Sequence, residues 1–168
     1  MLKRLFAPVL LAALAALPAA ASPELAEIWG AKAAALYSET TDLLDTARTG
    51  ERPALDDGYL IDLERFAMTA TRLGSWNDEV SGAKDLGCIF RGMAEEAEVQ
   101  LNALEGAGSA TASEAALKRL VTLFDDAQEI SVAAAWAARH GGALPNANDG
   151  VPAACPANPA MASRISAY

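Results

Sequence analysis

Between residues 22 and 141 apolar side chains recur at spacings of three and four, the period of helices buried along one face. The first such stretch places Leu25, Ile28, Trp29, Leu36, Leu43, Leu44 and Ala47 on one stripe over about six turns. Pro23 sits where a first helical turn tolerates a missing amide, and Gly50 and Pro53 stop the helix in the order expected past a carboxyl end. In the second, Asp56 or Asp57 serves as cap and Tyr59, Leu63, Phe66, Ala70 and Leu73 form the buried stripe. Asp62, Glu64, Arg65 and Arg72 face water, Gly74 and Ser75 end the helix, and Trp76 to Lys84 reads as a connection.

A third helix is expected from Asp85, as N-cap, to Glu105, buried through Leu86, Ile89, Phe90, Met93, Ala97, Leu101 and Leu104. Gly87 and Gly92 weaken its first half, which suggests a close helix crossing or a looser first turn. The fourth is announced by Thr111-Ala112-Ser113-Glu114, a capping box in which hydroxyl and carboxylate satisfy free amides. Its face is Leu117, Leu120, Val121, Phe124, Ala127, Ile130 and Ala134, and Arg139-His140-Gly141 closes it with charge suited to the helix dipole. No strand pattern or internal repeat interrupts this. The expected fold is all-α, an antiparallel four-helix bundle over residues 22–141.

The two ends of the chain depart from that pattern. Residues 142–168 are rich in Ala, Pro, Asn and Gly without a period of 2 or 3.6, and read as an irregular tail. Residues 1–21 combine Lys3 and Arg4 with an apolar run from Leu5 to Leu17, then Pro18 and Ala19-Ala20-Ala21. That order is a cleavable signal peptide, with cleavage expected before Ser22 and a mature chain of 147 residues in a periplasmic or extracellular compartment. No later stretch approaches the roughly 20 apolar residues of a membrane span, so no stable membrane insertion is expected after cleavage.

Charge narrows the partners. Without Lys3 and Arg4 the chain carries 22 acidic and 11 basic residues, a field that repels phosphate backbones; nucleic acid is not an expected partner. Solubility is the simplest use of that acidity.

The chain has two cysteines, Cys88 early in the third helix and Cys155 in the tail. An even count in an oxidising compartment reads as a disulfide, here one that tethers the irregular tail to the bundle. It would close a loop of about 68 residues, worth roughly 4 kcal/mol in the chain-entropy picture. The rival reading is a reactive Cys88 thiol, favoured by a helix amino terminus and by Arg91 one turn on, and opposed by Asp85.

Candidate chemistry is sparse. Haem would need His140 with Met68 or Met93, and no Cys-x-x-Cys-His is present for covalent attachment. A single histidine also defeats a carboxylate di-iron centre. Glu95, Glu96 and Glu98 form one acidic cluster and Asp125, Asp126 and Glu129 another; facing each other they would suit a hard cation, although such runs are mostly solvated. The run Asn146 to Gly150 lacks the spacing of a calcium loop. No hydrolase or phosphate-binding motif appears. Of the tryptophans, Trp29 belongs to a core stripe, whereas Trp76 and Trp136 lie off the stripes and either pack or line a groove.

These observations predict an exported, acidic, non-enzymatic helical binding or interaction module that requires no cofactor. The alternative is a redox or haem-type bundle built on Cys88 and His140.

Overall fold

The computed structural model describes residues 22–78 and 84–140. The expected signal peptide (1–21) and tail (142–168) lie outside the described residues. Four helices follow in order: α1 Pro23–Arg48, α2 Asp57–Trp76, α3 Lys84–Glu105 and α4 Ala110–Arg139. No strand occurs among the described residues.

Local chemistry sets most of the ends. Ser22 caps α1 by accepting from the Leu25 amide at 3.2 Å, with Pro23 in the first turn. Gly50, at φ 86°, lets the chain leave α1 through a left-handed residue. Asp56 rather than Asp57 caps α2, accepting from the Tyr59 amide at 2.8 Å. The α2 helix runs further than expected: Gly74 and Ser75 do not end it, and Trp76, nearly buried, is its last residue. The capping box at Thr111 is likewise displaced. Ser109 caps α4 through the Ala112 amide at 3.2 Å, which puts Thr111 and Glu114 inside the helix.

Each helix packs against its chain neighbours, and α1 closes the ring on α4, with which it makes its most extensive contact. Lys32 of α1 meets Asp62 of α2, Glu96 of α3 meets Arg119 of α4, and Arg139 at the end of α4 meets Glu27 at the start of α1. Thr40, late in α1, meets Tyr59 at the start of α2, whereas Trp29, early in α1, meets Phe66 further along. Gly74 near the end of α2 lies beside Gly87 near the start of α3, and the α3–α4 and α4–α1 pairs likewise join later positions to earlier ones, so the helices alternate in direction. The bundle is antiparallel, as expected.

Its centre is a layer of four aromatic rings, one from each helix. Trp29 stacks on Phe66 with centroids 4.6 Å apart and meets Phe90 edge-on at 5.1 Å. Phe124 meets Phe66 edge-on at 5.1 Å. The Trp29 indole N–H also donates across the interface to the Phe66 carbonyl at 3.0 Å. One layer along, Thr40 and Tyr59 share a buried hydroxyl–hydroxyl bond of 2.9 Å. Among the described residues no buried side-chain nitrogen or oxygen lacks a partner.

Two contacts depend on glycine. At the α1–α4 crossing, a Cβ on Gly30 would overlap the Ser131 hydroxyl and lie 2.6 Å from the Ser131 Cβ. At the α2–α3 crossing, a Cβ on Gly87 would overlap the Asp78 carboxylate and lie 3.1 Å from the Gly74 carbonyl. The close crossing anticipated from Gly87 is therefore present, whereas Gly92 has open space around it.

Two features of the expected architecture are corrected. The apolar period puts Ile28 on the α1 core stripe, but the residue is 66% exposed, because the neighbouring Trp29 points into the centre and successive helical residues diverge by about 100°. The buried face of α1 is led instead by Ala26, Trp29, Gly30, Ala33 and Leu36. The expected Cys88–Cys155 tether of the tail is not part of this fold: no Sγ–Sγ contact lies among the described residues, of which Cys88 is the one cysteine, and Cys155 falls outside them. What stands is a four-helix, all-α bundle.

Candidate functional site

The residues singled out for chemistry are dispersed by the fold. Cys88 is half-buried on α3 with its sulfur 3.7 Å from Arg91 Nη2. The Arg91 guanidinium also pairs with Asp78 at the end of α2. Met93 is buried in the core, Met68 is half-exposed on α2, and His140 is exposed at the carboxyl end of α4. The His140 ring is committed elsewhere: its Nδ1 donates to the Trp136 carbonyl at 2.8 Å, and the imidazole stacks on the Trp136 indole at 4.3 Å.

The acidic clusters also separate. Glu96 turns inward and accepts from Arg119 and from Gln100, at 2.7 and 3.1 Å, while Glu95 and Glu98 face solvent. Asp125, Asp126 and Glu129 are exposed on α4; partial burial, with Asp125 and Glu129 beside it, raises the Asp126 carboxyl above its ordinary value. Among the described residues no group of three or more His, Cys, Asp or Glu side chains is placed to hold a metal ion.

A different feature emerges at the carboxyl end of α4. Val132, Trp136 and His140 follow at intervals of four and so share one face. Val132 is 69% exposed and Trp136 37%, against 1% for Trp29. The rest of α4 keeps its large apolar side chains turned inward, because Leu117, Leu120, Leu123 and Phe124 lie on the opposite stripe.

This end is also ordered by charge. Arg139 donates to Glu27 at 2.8 Å, which ties the last turn of α4 to the first turns of α1. That hydrogen bond holds the Glu27 carboxyl below its ordinary value and the Arg139 guanidinium above its own. Glu24 is lowered too, by a backbone amide and the Ser22 hydroxyl. Cation at a carboxyl terminus and carboxylates at an amino terminus also complement the two helix dipoles. The exposed indole thus stands one turn from an ion pair that links α4 to α1.

Sequence reading placed Trp136 off the core stripe but favoured its packing. The available signal was the interval of four joining Val132, Trp136 and His140, three residues that fit no core position.

No helix among the described residues is long and apolar enough to cross a membrane. No protein-family model matches the chain, and neither a curated protein nor a solved structure shows significant similarity to it.

Proposed function

We propose that this chain is an exported helical binding module that works by recognition rather than by catalysis, and that the Val132–Trp136–His140 face of α4 is its contact surface. The signal-like composition of residues 1–21 supports export. One observation carries the recognition reading: a tryptophan left exposed beside an exposed valine, on a helix end linked to α1 by the Arg139–Glu27 pair. Tryptophan is the residue most often found to anchor protein interfaces, since it buries a large area at little entropic cost.

The test is made in cells that export the protein. A photo-crosslinking residue is placed at position 132 and, as control, at Thr122, which is exposed on the same helix. The expected result is a discrete adduct from position 132 alone, formed on protein whose mass begins at Ser22. No adduct, or equal labelling at both positions, sinks the contact surface; protein retained in the cytoplasm with residues 1–21 attached sinks export.

A further inference from the structure

At the other end of the bundle, the segment joining α1 to α2 passes an open depression of about 560 Å³ lined by Arg52, Pro53, Ala54, Leu55, Leu60, Leu104 and Glu105. That volume lies in the range of small-ligand sites. Leu104 is fully buried, and Leu55 and Leu60 pack on the core, so the floor is apolar and fixed. The rim carries one charge of each sign. Arg52 and Glu105 line the same depression, yet no ion pair or side-chain hydrogen bond engages either of them among the described residues.

The backbone gives a second, independent sign. From Glu51 to Leu55 the chain is neither helix nor turn, and among the described residues no backbone hydrogen bond engages its carbonyls or its amides, of which Pro53 has none. Such a segment offers the donors and acceptors that an added extended chain uses. A partner that satisfies all three features has peptide groups, an apolar side chain and opposite charges at its two ends.

We infer that this depression binds a short apolar peptide with free termini. The peptide lies along residues 51–55, its carboxylate meets Arg52, its ammonium group meets Glu105, and its central side chain covers Leu55, Leu60 and Leu104. This site is independent of the α4 face. Trp136 lies 26 residues beyond the start of α4, roughly 39 Å along its axis from this end.

The experiment is calorimetric titration of the whole mature protein with the tripeptide Ala-Leu-Ala, its N-acetyl form and its C-amide form, against wild type, Arg52→Gln and Glu105→Gln. Both side chains are exposed, so neither substitution threatens folding. In wild type, either blocking group should weaken binding by about threefold to fivefold, the worth of one well-made solvent-exposed ion pair. The losses should also be specific: acetylation should have no further effect in Glu105→Gln, and amidation none in Arg52→Gln. Absence of binding at millimolar peptide overturns the inference, as does binding indifferent to the blocking groups or penalties unchanged in the two variants. Photo-crosslinking at position 132 reads the α4 face separately.

Discussion

Gly30→Ala offers a sharp test of the α1–α4 crossing, because two effects of opposite sign compete there. In an isolated helix alanine is preferred to glycine by about 1 kcal/mol, so the substitution should stabilise α1. In the bundle the new methyl group overlaps the Ser131 hydroxyl and comes within 2.6 Å of the Ser131 Cβ. Rotating the hydroxyl relieves the first contact at the expense of its 2.7 Å bond to the Gln128 carbonyl. Nothing but separation of the helices relieves the second. Overpacking of this kind costs on the order of 3 kcal/mol, which leaves a net loss of about 2 kcal/mol, or roughly 8 °C in Tm for a domain of this size. Ser131→Gly removes the obstructing atoms, so Gly30→Ala should regain most of its loss in that background, with a coupling of about 2 kcal/mol in a double-mutant cycle. Urea unfolding followed by helical circular dichroism measures all four proteins. A Gly30→Ala protein more stable than wild type, or losses that simply add, would refute the proposed close approach.

Three further outcomes follow from the same structure. Burial raises the Tyr59 phenol to about 12, against an ordinary value of 10; since folding favours the protonated form, this stability is complete below pH 10 and falls by about 2–3 kcal/mol as pH rises towards 12. Urea midpoints across that range should decline in wild type and much less in Tyr59→Phe, which should itself be about 1–2 kcal/mol less stable at neutral pH for the lost bond to buried Thr40. Ser109→Ala should cost about 1 kcal/mol and Thr111→Ala under about 0.5, because Ser109 caps α4; the reverse order in urea unfolding would restore the sequence-based cap. Glu96→Gln and Arg119→Ala should each cost about 1–2 kcal/mol and couple strongly in a double-mutant cycle, since both side chains are largely buried between α3 and α4; additive losses would show that the pair holds nothing together.

Helix number, order and approximate ends were legible because burial on one side imposes a period that Leu, Phe and Tyr report clearly. The stripe of α2, from Tyr59 to Leu73, is buried throughout. In α1 the reading went astray for a definite reason: the helix approaches α4 so closely that small residues, not large ones, make much of the contact. Ala26, Gly30 and Ala33 carry little hydrophobic signal, and Ile28 next to Trp29 carries a misleading one. The cap of α4 was ambiguous because Ser109 and Thr111 both have the required hydroxyl, and only the path of the chain after Gly108 selects between them. The site candidates were the least legible. Residue type pointed to Cys88, His140 and the acidic clusters, but which groups meet is decided by helix rotation and pairing. Rotation turns Glu96 inward to Arg119 while its neighbours face water, and it sets His140 against Trp136.

The closure of α1 on α4 has a consequence for how the molecule comes into being. A polypeptide emerges amino terminus first, from the ribosome or through an export channel, and α1 appears long before its principal neighbour. Until residue 140 is clear, the surface around Gly30 and Ala33 is uncovered, and α2 gives it only partial shelter. The last thirty residues of the bundle are therefore what turns an open, adhesive intermediate into a sealed one, and a nascent chain halted before α4 should depend on chaperones in a way that the finished protein does not.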